Sequence, residues 1–139
     1  MDIVIDTNIF ISALIRDNLT RELIFNFKYN LLFPEFEFEE IFNHKKEILR
    51  KSKLTDYEFN ILLLRLLKKV KIIRTKRIIE NREEAKKIIE KIDPNDVIFI
   101  ATALTFNCPI WSDDKHFQKQ NKVKVLTTKD IINNKIIKR

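Results

Sequence analysis

Residues 2–10 read Asp2-Ile3-Val4-Ile5-Asp6-Thr7-Asn8-Ile9-Phe10, and this stretch predicts how the rest of the chain is arranged. Its three consecutive apolar residues are typical of a short strand that is buried on both faces of a sheet. Apolar residues then recur at helical spacing, so Asp6 is expected where the strand gives way to a helix. Ligands bind at the carboxyl ends of strands in open α/β sheets. Asp6 is therefore either a helix N-cap or a ligand-binding residue, and the position of other acids must decide between them.

The remainder of the chain repeats this alternation of short strands and helical segments. Further strands are predicted at 31–33, 70–73, 109–111 and 123–126, the last of them at an edge of the sheet. Helices are predicted at 6–16, 21–29, 34–51, 56–69, 78–92, 94–106 and 129–134. Strands separated by helices need crossover connections, which join parallel strands. The predicted fold class is therefore α/β, a three-layer α/β/α sandwich with a mainly parallel sheet of four to five short strands.

The composition fits a single domain over residues 1–139. Hydrophobic residues make up 45% of the chain, which is enough to bury one core. The chain has 27 Lys and Arg against 20 Asp and Glu, a net charge of +7. This charge favours a polyanionic partner such as nucleic acid, although it could equally be a solvated basic surface.

Cysteine and glycine usage excludes several kinds of site. The single cysteine, Cys108, rules out an intrachain disulfide and a thiolate metal site, and it fits a cytoplasmic location. The apolar runs are too short to span a membrane, and the N-terminus does not resemble a signal peptide. The chain has no glycine, so Gly-rich phosphate loops are excluded. Turn positions with positive φ are then expected to fall to asparagine, at Asn18, Asn30, Asn107 and Asn121.

Acidic residues recur where predicted strands end or helices begin. They are Asp6, Glu40, Asp93, Asp96, Asp113 and Asp114. In a parallel sheet these points share one edge, where several carboxylates would repel one another and resist ionisation. A divalent cation removes that cost, and oxygen ligands without a His or Cys cluster favour Mg²⁺ or Mn²⁺ over zinc. Taken singly, several of these acids could instead be N-caps or first-turn acids that a helix dipole stabilises.

The order of these motifs resembles the PIN-domain family, a nuclease fold found in many prokaryotic toxins of the VapC type. The matching segments are residues 5–10 (IDTNIF), 40–41 (EI), 93–96 (DPND, with Phe99, Ala101 and Ala103 behind it) and 111–117 (WSDDKHF). They follow the family's order and spread over most of the chain. The resemblance implies an endoribonuclease that uses Mg²⁺ or Mn²⁺. It also implies an RNA substrate, a homodimer, and an antitoxin protein that could block the acidic groove.

The resemblance also implies roles for individual residues. The implied metal ligands and catalytic acids are Asp6, Glu40, Asp96 and Asp114, and the implied supporting residues are Asn8 and Ser112. Glu39 stands beside Glu40 and Asp113 beside Asp114, so either assignment could shift by one residue. We favour Glu40 because apolar Ile41 follows it, and Asp114 because Ser112 supplies a hydroxyl two residues earlier. Glu37 and Glu39 are expected on a solvated helix face.

Basic residues near the predicted site are candidates for contacts with the RNA backbone. Lys115 is the first candidate, because it adjoins the acidic cluster, and looser candidates are Lys45, Lys46, Arg50, Lys51 and Lys53. His44 and His116 are expected to be surface residues or substrate contacts rather than metal ligands. Two alternatives to a toxin stay open: a nuclease of RNA maturation or decay, and a catalytically silent module that binds RNA or protein.

Overall fold

Five short parallel strands form the central sheet of this computed structural model, which describes residues 1–15 and 19–133. The strands are β1 (Asp2–Ile5), β2 (Asn30–Pro34), β3 (Val70–Ile73), β4 (Ile110–Trp111) and β5 (Val125–Leu126). Their order is β3-β2-β1-β4-β5, and every neighbouring pair is parallel. The predicted parallel α/β sheet is confirmed, with β5 at an edge as expected.

The segments between the strands are helical, consistent with the predicted α/β/α sandwich. The helices are α1 (Thr7–Ile15), α2 (Leu19–Phe25), α3 (Phe38–Asn43), α4 (Lys45–Ser52), α5 (Asp56–Leu67), α6 (Thr75–Ile78), α7 (Arg82–Ile89), α8 (Val97–Phe106) and α9 (Thr128–Asn133). Short 3-10 turns cover Glu35–Glu37, Ile79–Asn81, Pro94–Asp96 and Lys115–Lys119. Among the described residues, no helix is both long and apolar enough to cross a membrane.

The centre of the sheet is buried from solvent, and its central strand β1 lies between β2 and β4. Ile3, Val4 and Ile5 are completely buried, as the uninterrupted apolar run predicts. Ile3 pairs with Leu31 of β2, and Ile5 pairs with Trp111 of β4. This register brings the residues that follow β1 and β4 to the same edge of the sheet. Helix α8 is buried almost all round, as its lack of charge predicts.

Two long predicted helices are broken in the structure. The helix predicted at 34–51 is a 3-10 turn followed by α3 and α4, which meet at His44 with φ −96° and ψ 4°. The ring Nδ1 of His44 lies 2.8 Å from the carbonyl oxygen of Glu40. The same carbonyl oxygen also accepts the backbone N–H of His44 at 3.2 Å, so the side chain and the main chain of His44 share one acceptor. The helix predicted at 78–92 is likewise divided into α6, a 3-10 turn and α7.

The asparagine turn prediction is correct at one position. Asn107 ends α8 with φ 49°, in the left-handed region. The other described residue with positive φ is Lys53, which ends α4 with φ 65°. Asn30 is instead the first residue of β2, so that prediction is wrong, whereas Asn121 lies at a bend as expected but without positive φ. Asn18 and the predicted end of the first helix lie outside the described residues.

Candidate active site at the carboxyl edge of the sheet

Asp6 and Ser112 meet at the carboxyl edge because β1 and β4 are neighbours. The backbone N–H of Asp6 donates to the carbonyl of Trp111 at 3.1 Å, which extends the strand pairing by one residue. The hydroxyl of Ser112, fully buried, donates to Asp6 Oδ2 at 2.7 Å. The Ser112 Oγ atom itself accepts the backbone N–H of Asp114 at 3.0 Å. Ser112 therefore connects two of the acids that the sequence singles out.

The carboxyl group of Asp6 is buried, with only 4% of the residue exposed. Burial raises the pKa of Asp6 to about 6, and the nearby charge of Asp114 adds to the increase. Hydrogen bonds from Ser112 and from the backbone N–H groups of Asn8 and Thr7 oppose it. The side chain of Asn8 is exposed, so its support for Asp6 comes from the main chain. Asp6 is thus held in place by donors while remaining costly to ionise.

Asp96 lies at the end of the 3-10 turn that leads into α8. Asp93 caps this turn by accepting the backbone N–H of Asn95 at 2.9 Å, and Pro94 occupies the first turn position, where its fixed φ is favourable. Asp96 is 7% exposed, and its Oδ2 atom is buried without a hydrogen-bond partner among the described residues. Burial raises the pKa of Asp96 to about 7, with further contributions from Asp93, Asp6, Asp114 and Glu37.

An unpartnered buried carboxylate oxygen is expensive in free energy. The negative charges around Asp96 make a proton or a cation the natural partner for that oxygen. The charges of Asp6 and Asp114, as well as that of Asp93, raise the pKa of Asp96. Three of the four predicted acids, Asp6, Asp96 and Asp114, are therefore close enough for their charges to interact. This part of the predicted constellation is present in the structure.

His116 adds a nitrogen atom to the acidic edge. Its Nδ1 atom lies 3.2 Å from Asp93 Oδ2 and 3.3 Å from Asp114 Oδ1. One ligand atom each from Asp93, Asp96 and His116 lies within 4.8 Å of the other two, and within the described residues these are the three that could hold a metal ion so closely. The side chain of His116 is 43% exposed, so the expected surface position describes only part of its environment.

Glu40, the fourth predicted acid, lies on α3 and points partly towards solvent. Its side chain is 47% exposed, and its carboxylate accepts the Asn43 amide at 3.3 Å and lies 3.8 Å from His44 Nδ1. The alternative, Glu39, is exposed. Between these two residues, Glu40 is therefore the more enclosed.

Glu37 is the acid that the sequence reasoning missed. It was expected on a solvated face, but it is half-buried, and its Oε2 accepts the hydroxyl of Thr7 at 3.4 Å. Burial raises the pKa of Glu37 to about 6, with contributions from the charges of Glu40 and Asp6. A spacing of three residues places Glu37 and Glu40 on one helical face, and Glu37 lies only three residues after the end of β2. Those two facts were the available signal.

Asp113 points away from the acidic edge. Its two carboxylate oxygens accept the backbone N–H and the hydroxyl of Thr128, each at 2.7 Å, at the start of α9. The hydroxyl of Thr128 also accepts the indole N–H of Trp111 at 3.1 Å. Asp113 therefore has a structural role at the start of α9. Of the two adjacent aspartates, Asp114 is the one that lies near Asp96 and His116.

The basic residues that were predicted to contact RNA differ in their exposure and in whether an acid already pairs with them. Lys115 is exposed and adjoins Asp114 and His116, as predicted. The ammonium group of Lys45 pairs with Asp56 at 2.9 Å and lies over the Phe59 ring, which makes it a poorer candidate for RNA contact. Lys46 and Arg50 are exposed on α4. Lys51 pairs with Glu47 at 2.8 Å, and Lys53 serves as the helix C-cap.

An open groove of about 1030 Å³ lies beside α3. Its walls include Glu37 and Glu40, the exposed ring of Phe36, Ile72 of β3, and Asn95 beside Asp96. The groove joins the two glutamates to the turn that carries Asp96.

Glu37→Gln and Glu40→Gln form a matched pair of substitutions that tests which glutamate serves the site. Burial and the charge of Asp6 both raise the pKa of Glu37, which places this carboxyl group close to the proposed site. Glu37→Gln is therefore expected to weaken Mn²⁺ binding about tenfold or more. Glu40→Gln should weaken it less. Isothermal titration with Mn²⁺ measures both constants. A larger loss in Glu40→Gln would return Glu37 to the solvated role that the sequence suggested.

Comparison with known proteins agrees with this architecture. The family model of the PIN domain matches residues 4–135, a span that includes the second half of β1, all of β2 to β5 and every acid at the carboxyl edge. No curated protein matches the chain. The predicted family is confirmed, and the chain belongs to the PIN-domain family.

Proposed function

We propose that this protein is a divalent-metal-dependent endoribonuclease whose active site is the carboxyl edge of the sheet. The PIN domain is a nuclease fold, and the residues gathered at this edge could bind a metal ion. The observation that carries the proposal is the buried, unpartnered Oδ2 of Asp96 among several other carboxylates. Such an arrangement is unfavourable alone and becomes favourable with a cation.

The proposed ligands are Asp6, Glu40, Asp96 and Asp114, and Glu37, which is half-buried beside Thr7, competes with Glu40 for the place of the fourth carboxylate. The donor set is mainly carboxylate oxygen, which suits Mg²⁺ or Mn²⁺. When bound, such a cation lowers the pKa of water and neutralises charge on the phosphate and on the leaving oxygen. A side-chain nucleophile is therefore not required.

The protein's own residues have three tasks in this proposal. Ser112 holds Asp6 and positions the backbone before Asp114, so the acids stay in place when they are ionised. The buried strands behind Asp6 exclude water from one side of the site. Lys115, exposed beside the acids, would contact the phosphate backbone of RNA, whose polyanionic charge complements the net charge of +7. The groove beside α3 would admit the flanking nucleotides.

The proposed biological role is the toxin of a cytoplasmic toxin–antitoxin pair, acting as a homodimer. This role follows the VapC-type resemblance of the sequence motifs. An antitoxin peptide would block the groove beside α3 in that case. A small antitoxin gene beside the gene for this chain would support the role, whereas its absence would favour a nuclease of RNA maturation or decay.

Cleavage of a mixed RNA pool tests the proposed activity. The protein is expected to cut RNA with Mn²⁺ or Mg²⁺ and to stop when EDTA is added. Asp6→Asn should be inactive under both conditions while still binding RNA in a filter assay. Cutting that resists EDTA, or equal cutting by Asp6→Asn, would contradict the assignment. RNA binding without cutting by any form would identify a catalytically silent module instead.

A further inference from the structure

We propose that His116, Asp93 and Asp96 form a mixed nitrogen and oxygen subsite that binds a first-row transition-metal dication in preference to Mg²⁺. The inference rests on the proposed function, because Asp96 belongs to both sets of residues. It goes further by adding a nitrogen ligand and Asp93, and by assigning the site a selectivity. The family resemblance leaves Asp93 out of the implied metal ligands, and His116 is expected from the sequence to be a surface residue or a substrate contact.

The positions of the three side chains come from two separate parts of the chain. Asp93 and Asp96 lie on one turn before α8, where the cap of Asp93 to Asn95 holds the turn in place. His116 lies on the 3-10 turn after β4, where Asp114 accepts its backbone N–H at 2.9 Å. The two turns face each other, and one ligand atom from each of the three side chains lies within 4.8 Å of the others.

The distances around His116 match those between neighbouring ligands of one cation. Metal bonds of about 2.1 Å at right angles place adjacent ligand atoms about 3 Å apart. The His116 Nδ1 atom lies 3.2 Å from Asp93 Oδ2 and 3.3 Å from Asp114 Oδ1. This Nδ1 atom is buried and makes no hydrogen bond to any described residue, so the short distances are not explained by a directed N–H contact.

A second observation points independently to a ligand. The Oδ2 atom of Asp96 is buried and has no hydrogen-bond partner in the described part of the chain, although the residue is only 7% exposed. Three carboxylates surround one imidazole, so the cluster retains negative charge even if His116 is protonated. A dication bound between His116, Asp93 and Asp96 would give the Asp96 oxygen a partner and would lie between the His116 nitrogen and the carboxylate of Asp93.

The chemistry of the donors gives the selectivity. Imidazole nitrogen is a common ligand of first-row transition metals, whereas Mg²⁺ prefers a shell of oxygen atoms and retains its waters. Replacement of His116 should therefore weaken binding of a transition metal much more than binding of Mg²⁺. Mn²⁺ is the probe of choice, since its unpaired electrons report nitrogen ligands directly.

Electron spin echo spectroscopy of the Mn²⁺-loaded, untagged protein tests the inference. The chain has two histidines, so a directly bound ¹⁴N signal must arise from His116 or His44. We expect the signal in the native protein and in His44→Gln, and its loss in His116→Gln. Titration should show Mn²⁺ affinity about tenfold or more weaker in His116→Gln, with Mg²⁺ affinity changed by less than about twofold.

A second variant guards against misfolding. Asp93→Asn keeps a good N-cap and removes one ligand charge, so it should also weaken Mn²⁺ binding while circular dichroism stays native. A native protein without the ¹⁴N signal, or a signal that persists in His116→Gln, would overturn the inference. RNA cleavage in Mg²⁺ without any ¹⁴N signal would leave the proposed nuclease standing alone. The signal without RNA cleavage would leave the subsite standing and remove the nuclease.

Discussion

Asp96→Asn is expected to lower metal-dependent RNA cleavage at least about 100-fold. Loss of an outer partner of a metal ligand already costs 10–100-fold in many sites, so loss of a proposed ligand should cost more. The substitution preserves the side-chain volume and removes the charge that four other acids oppose. Folding should therefore be retained, and the loss should appear in the rate rather than in the amount of native protein.

Asp113→Asn is the matched control for this experiment. It makes the same chemical change on an acid whose two oxygens bind Thr128 rather than facing the proposed site. Its cleavage rate should stay within about threefold of the native rate, although its stability should fall by about 1 kcal/mol because one of the two exposed hydrogen bonds from Thr128 to the carboxylate is lost. Single-turnover cleavage of one RNA by both variants measures the contrast. A reversed order of the two rates would contradict the placement of Asp114 and Asp96 at the site.

The metal-free protein is expected to lose stability as the pH rises from about 4 to about 7. Burial raises the pKa of Asp96 to about 7 and that of Asp6 to about 6, both from 3.8. The folded protein therefore binds more protons than the unfolded chain across this window, so the free energy of unfolding falls as the pH rises. Glu37 acts in the same direction, because its pKa is raised to about 6 from 4.5.

The size of this effect is of the order of a few kcal/mol, since one pKa step corresponds to about 1.4 kcal/mol. Urea unfolding in EDTA at pH 4.5 and pH 7.5 measures it. Asp96→Asn should be more stable than the native protein at pH 7.5 and should show a weaker pH dependence. Added Mn²⁺ should restore stability to the native protein at pH 7.5 and not to Asp96→Asn. If the free energy of unfolding depends on pH equally in the two proteins, ionisation of Asp96 does not destabilise the folded state.

Features that depend on neighbouring residues in the chain could be predicted from the sequence. The apolar triplet Ile3 to Ile5 forms the central strand, because a run of this kind needs burial on both faces. The dipeptide Asp93-Pro94 marks the start of a helical turn, because a cap and a fixed φ act locally. The placement of Asp6 and Ser112 at one edge follows from parallel pairing of β1 with β4.

Features that depend on contacts between distant side chains could not be predicted in this way. The hydroxyl of Thr7 reaches Glu37 across 30 positions of sequence, which moves an apparently solvated acid into the site. The ring of His116 meets Asp93 only because two turns face each other after folding. Lys53 ends α4 with a positive φ, a conformation that was expected of asparagine in a chain without glycine. The end of α4 therefore accepts the small conformational energy that a lysine needs to adopt this φ.

The central claim is that acids from separate elements at the carboxyl edge share a divalent cation. Anomalous diffraction from crystals soaked in Mn²⁺ tests this claim most directly. We predict a peak enclosed by Asp6, Asp96 and Asp114, lost in crystals of Asp96→Asn. A peak only at sites away from the carboxyl edge, or a well-ordered edge that stays without one at millimolar Mn²⁺, would contradict the account.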